Sequence, residues 1–170
     1  MTSFWLLTVL AVAVIACGMI AGFFLTFSDF LMRSLKLAKT SAGIEVMQII
    51  NREVWKSITI FMLWGMVVLS VALGGYASLQ LSGPLLAWVI SGSTSYVFGM
   101  LLVSYAFNIP MNDRLDALEL STPAAASYWH DNYVERWVFW NYVRAFASAT
   151  AAICFFMACL TIIQSSPATG

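Results

Sequence analysis

The sequence predicts an all-α integral membrane protein, a four-helix bundle with amphipathic helices on the cytoplasmic side. Three observations predict it. Of the 170 residues, 61% are hydrophobic and 9% are charged, against roughly a quarter charged in an ordinary soluble domain. Four uninterrupted apolar stretches, 4–27, 58–80, 84–107 and 138–163, each approach the roughly 20 residues that carry a helix across a bilayer. The eight Lys and Arg fall within 33–56 and 114–144, and the eight Asp and Glu lie in the polar connections 28–57 and 108–137. By the positive-inside rule both connections are cytoplasmic and both termini face out. The four stretches leave no room for a separate soluble domain, so 1–170 is a single membrane domain.

The first span carries "VIAC" at Val14 to Cys17, which has the look of a lipoprotein cleavage box. Met1 to Trp5 has no Lys or Arg, however, and the apolar run continues ten residues past Cys17, which argues for an uncleaved span. Gly18 and Gly22 form a GxxxG spacing that predicts close helix packing, as do Gly92 and Gly99 flanking Tyr96 in the third span. Cys17, Cys154 and Cys159 all sit within spans at spacings unsuited to CxxC chemistry, and read as small apolar packing residues.

In the first connection, Ile44, Met47, Asn51 and Val54 recur at helical intervals and share a face with Gln48. A helix lying on the membrane surface accounts for the apolar members. The two amides need polar partners, because an unpaired polar group in an apolar setting costs about 1–3 kcal/mol.

After the second span, the turn "QLSGP" leads into the third, which runs into "SYAFNIPMNDRL" at Ser104 to Leu115. Pro110 predicts the end of a helix, with Asn108 satisfying its last carbonyls and Asn112 capping a short one. In the second connection, Thr122 before Pro123 predicts an N-cap with proline at the first helical position, opening a helix that runs into the fourth span. On it His130, Tyr133, Trp137, Asn141 and Arg144 follow at steps of three or four and share a face. Arg144 then lies about two turns inside the bilayer, where a charge faces the bundle interior or snorkels to the headgroups. Asn108, Asn112, Gln48, Asn51 and Arg144 converge at one membrane depth, level with "TFSDF" at the end of the first span.

Four motifs in this order, "AGFFLTFSDFLM", "VMQIIN", "NIPMND" and the Trp137, Asn141, Arg144 spacing, resemble the small four-helix membrane family that includes the anthrone oxygenases. The resemblance implies, for the characterised branch, oxidation of an anthrone to an anthraquinone by dioxygen without a recognised metal or flavin. The residue inventory bears on that separately. The single histidine, His130, excludes a bis-His haem, an HxxxH copper site and a paired Glu-x-x-His di-iron site. No metal ligand set and no cofactor is therefore expected, although a haem held by His130 alone stays open.

An anthrone's central CH2 is acidic, because its carbanion is delocalised over the rings and the carbonyl, and the enolate reduces dioxygen directly. The protein then supplies an aromatic pocket, a base and positive charge at the oxyanion. Asp113, Asp29 and His130 are the candidate bases. Arg144, with Asn141, Asn108 and Asn112, is the candidate oxyanion site, with Gln48 and Asn51 nearby, and Trp137, Phe27 and Tyr96 are candidate walls. The expected partners are a lipophilic aromatic molecule, dioxygen and the lipid bilayer, with no nucleic acid; a homo-oligomer is open. The expected location is the bacterial inner membrane. Two alternatives use the same residues: a non-catalytic binder or carrier of a quinone-like molecule, and an accessory membrane subunit.

Overall fold

The computed structural model describes residues 2–165, with side chains from Phe4 onward. The carboxyl-terminal tail expected to face out lies outside the described residues. Four rods long and apolar enough to cross a membrane, α1 (Phe4–Leu37), α3 (Ile58–Gln80), α4 (Gly83–Asp116) and α5 (Pro123–Ser165), are joined by an amphipathic helix, α2 (Thr40–Glu53), and short turns. The chain is an all-α membrane bundle. Its outward faces carry large apolar side chains such as Phe61, Val68, Phe146 and Ile153, which suits lipid as solvent.

Three of the rods are longer than hydropathy alone marks. α1 continues past Thr26 through a π-helical turn, Phe27–Leu31, into Met32–Leu37, with Ser28 and Met32 buried and Asp29 and Arg33 exposed. An amphipathic extension of this kind leaves the lipid while remaining a helix. α4 does not end at Pro110. A π-helical segment, Ser104–Asn108, precedes the proline, which then sits at the first positions of the α-helical run Ile109–Asp116, where its missing N–H is tolerated. α5 starts as expected, with Thr122 Oγ1 accepting from the Ala125 backbone N–H at 3.2 Å and Pro123 in the first turn. The link between α3 and α4 reverses over Leu81 and Ser82, helped by Gly83 at a φ of 61°, in the left-handed region that glycine adopts without strain.

α5 is the central rod, packed along both α1 and α4, while α3 packs mainly on α4. Small residues set the α4–α5 approach. A Cβ on Gly99 would come 2.3 Å from the Ala147 Cβ, and one on Gly92 would come 2.8 Å from the Phe155 ring. The GxxxG of α1 does not pack in this way: Gly18 and Gly22 face open space, with nothing within 4 Å of an added Cβ. The three cysteines are buried and free.

The bundle interior divides in two. Toward the chain termini lies an apolar core that includes Leu10, Ala13, Cys17, Val89, Ala151, Phe155 and Ala158. Toward the long connections lies an aromatic and sulfur-rich cluster that includes Met32, Ile44, Met47, Trp129, Tyr133 and Trp137. α2 folds its apolar face onto that second cluster, so it is a packed element of the bundle and not only a surface helix.

Candidate functional site

Between the two clusters opens a pocket of about 370 Å³, within the range typical of small-molecule sites. Every helix contributes to it: Phe24 and Phe27 from α1, Asn51 from α2, Leu63 and Trp64 from α3, Ser104, Tyr105, Asn112 and Asp113 from α4, and Trp137, Asn141 and Arg144 from α5.

Arg144 is its centre. The residue is buried and turns into the bundle instead of snorkelling. Its Nη1 donates to Ser104 Oγ at 3.2 Å, its Nη2 donates to Asn141 Oδ1, and its Cζ lies 4.3 Å from the centroid of the Phe24 ring and 5.6 Å from that of Trp137. The Asn141 amide is thereby oriented, since an arginine can only donate. Its Nδ2 donates to Phe24 O at 2.6 Å and to Ser28 Oγ at 2.7 Å. One connected network thus ties α1, α4 and α5 together at the pocket wall. The sequence places Arg144 against 108–113, Gln48 or Asn51; its direct partner on α4 is Ser104 instead, one helical turn earlier.

Two features of Arg144 are chemically unusual. Its partners are neutral: among the described residues the ion pairs are Lys36 with Glu135, Arg52 with Asp116 and Lys56 with Glu53, and none involves Arg144. Its Nε is buried without a hydrogen-bond partner. A buried charge is normally paired, because desolvation is costly. Here the aromatic faces supply cation–π attraction, and three of the five guanidinium N–H groups remain unused. Such a group suits an anion or a polarised carbonyl.

Asn112 forms the facing wall. Its Oδ1 accepts from Tyr133 Oη and from Trp137 Nε1, each at 2.8 Å. The indole N–H can only donate, so the amide orientation is fixed and its NH2 group stays available. Asn51 also lines this wall, its amide beside the Tyr133 hydroxyl. Asp113 lines the pocket from an exposed position, without an ion pair. Asp116 is also at the rim but is held by Arg52 at 2.8 Å.

The other expected site residues lie elsewhere. Gln48 is buried, and its NH2 group is spent on Leu115 O and Leu118 O at 2.9 and 3.0 Å, tying α2 to the turn that follows α4; Leu115 O also accepts from Leu118 N–H at 3.2 Å. Asn108 donates to Trp137 O at 3.2 Å while its Oδ1 is unpartnered; it braces α4 against α5 behind the pocket. Tyr96 is buried deeper in the bundle, its hydroxyl donating to Leu63 O at 3.1 Å. Asp29 and His130 are exposed and outside the pocket lining, and His130 Nε2 is 3.1 Å from Thr40 Oγ1. The face arithmetic that places His130 with Arg144 fails because Tyr128–Tyr133 is a π-helical segment, whose wider turn shifts every residue upstream of it around the helix. Among the described residues no three of His, Cys, Asp and Glu gather as a metal ligand set.

Phe24, Ser104, Trp64 and Tyr105 join the pocket without having been singled out in the sequence. Ser104 and Phe24 were within reach of helical spacing, at four residues before Asn108 and three before Phe27. Trp64 and Tyr105 carry no local signal.

No curated protein and no solved structure matches the chain. The model of the anthrone oxygenase family matches residues 52–154, more than half of the chain, from the end of α2 through Arg144. On that match the chain belongs to the anthrone oxygenase family.

Proposed function

We propose that this pocket oxidises a lipophilic polycyclic phenol or anthrone with dioxygen, at the cytoplasmic end of a bundle in the bacterial inner membrane with both termini outside. The observation that carries this reading is the buried, carboxylate-free Arg144 guanidinium in an aromatic pocket. Its charge favours the ligand that becomes an oxyanion.

In this reading Asp113 takes a proton from the CH2 between the two outer rings, across the central ring from the carbonyl. The enolate oxygen forms against Arg144, with the free NH2 of Asn112 as a second donor, and these groups act where charge develops. The enolate carbon passes electrons to dioxygen and forms a C–O bond, and a proton goes to the distal oxygen. Loss of water from the resulting hydroperoxide leaves the second carbonyl. Overall, one anthrone and one O2 give one anthraquinone and one H2O, with all electrons supplied by the substrate. Phe24, Phe27 and Trp137 hold the ring plane.

The test is oxygen uptake by detergent-solubilised protein with a panel of anthrones and reduced quinones, measured against heat-inactivated protein because such compounds autoxidise. Uptake well above that control is expected. Uptake equal to the control, together with retained binding of the quinones, would replace the enzyme reading with that of a quinone binder.

A further inference from the structure

We propose that the pocket is entered sideways from the lipid, through an opening between α3 and α4 framed by Trp64 and Tyr105, by a planar aromatic ligand dissolved in the membrane. The inference rests on the reading of the pocket as an aromatic-ligand site, and it adds the route by which the ligand arrives.

α3 is packed unevenly along its length. From Met66 onward it buries Met66, Val67, Ser70, Leu73 and Ala77, whereas no residue from Ile58 to Gly65 is buried. Its close contacts with α4 lie along Gly83–Thr94 and Ser95–Leu102, and fall away at Ser104–Asn108. The two rods therefore splay apart at the pocket. Both Trp64 and Tyr105 line the pocket and are also exposed, at 40% and 50%, and their rings meet edge to face with centroids 6.2 Å apart. Such an edge-to-face pair is a weak latch, one that side-chain rotation can part.

The surroundings select lipid over water as the source. Trp64 is six residues into α3, about 9 Å along the helix axis, and its exposed neighbour Phe61 and the following Val68 are apolar. Toward the connections the rim is closed differently. Arg52 Nε and Nη2 both bond Asp116 Oδ1 at 2.8 Å, and both residues line the pocket. An ion pair across that edge, beside the unpaired Asp113, leaves the apolar side as the gap that fits a flat hydrocarbon ring system. A ligand sliding in between the rings would carry its polar end toward Arg144.

The three native cysteines are buried, so an introduced thiol is labelled selectively. Tyr105→Cys in lipid nanodiscs is reacted with a bulky aromatic methanethiosulfonate, and association of 1,8-dihydroxyanthraquinone is followed by its fluorescence. Val71→Cys, exposed on α3 outside the pocket lining, is the control. Labelling at 105 should slow association at least tenfold, reductant should restore it, and labelling at 71 should leave it unchanged. At a fixed ligand-to-lipid ratio, diluting the nanodiscs in buffer should not change the rate for the unlabelled protein. A rate that falls in proportion to dilution, or one indifferent to the label at 105, overturns the lateral route while leaving the pocket reading intact. No binding by the unmodified protein removes both.

Discussion

The two halves of the bundle solve opposite problems with the same helices. Toward the chain termini, glycine and alanine bring α4 and α5 so close that a methyl group on Gly99 would collide with Ala147, and the core is apolar. Toward the connections, α3 splays away, the interior fills with aromatic rings, and Arg144 Nε and Asn108 Oδ1 are buried without partners, whereas the unpartnered atoms of the packed half are the small hydroxyls of Ser70 and Ser93. In lipid there is little hydrophobic drive between helices, so tight packing of small residues supplies cohesion. A half held that firmly lets the other half keep an unpaired charge and an open pocket. Of the four π-helical segments among the described residues, three, Phe27–Leu31, Ser104–Asn108 and Tyr128–Tyr133, fall in that second half, each presenting or adjoining a residue of the Arg144 and Asn112 networks. Such segments often mark functional positions.

That division is open to attack from either side. The largest effect is expected at the pocket: Asp113→Asn should lower oxygen uptake by about a hundredfold or more, as loss of a general base does, with the unfolding midpoint in mixed micelles unchanged. A turnover near that of the unmodified protein would remove Asp113 as the base. In the packed half, Gly99→Leu should destabilise by about 1–3 kcal/mol through overpacking, read as earlier unfolding in the same micelles. Gly18→Leu, in contrast, should be nearly neutral in the monomer, because nothing lies near its Cβ. Gln48→Leu should cost about 1–2 kcal/mol by removing the donor to Leu118 O, without changing affinity for a bound quinone. The smallest effect belongs to the exposed pair Lys36 and Glu135, 3.0 Å apart: Lys36→Met should shift stability by less than about 1 kcal/mol.

The four spans, the amphipathic face of α2 and the start of α5 at Pro123 were legible in the sequence, because hydropathy, helical spacing and capping are local signals. That Arg144 shares a face with Asn141 and Trp137 was legible for the same reason, since all three lie on one regular helix; spacing left open whether its guanidinium turns inward or snorkels. The positions of His130 and Pro110 were not. His130 lies within a π-helical segment and Pro110 just after one, and a wider turn alters the helix's course and which side chains share a face without any distinct composition. Gln48 illustrates a different limit. Spacing shows that its amide is buried, but only tertiary placement shows that the carbonyls of Leu115 and Leu118 use it up. Asn51, on the same face, lines the pocket instead.

In the proposed reaction Arg144 holds its charge in reserve for an oxyanion that forms during turnover. Its most direct test is steady-state oxygen uptake by Arg144→Gln, paired with equilibrium binding of the anthraquinone product to the same folded variant. Turnover should fall by around a hundredfold or more, binding should weaken far less, and Arg144→Lys, which keeps the charge but loses the planar fork, should be intermediate. A glutamine variant that turns over as fast as the unmodified protein, or whose binding and turnover fall by the same factor, would contradict it.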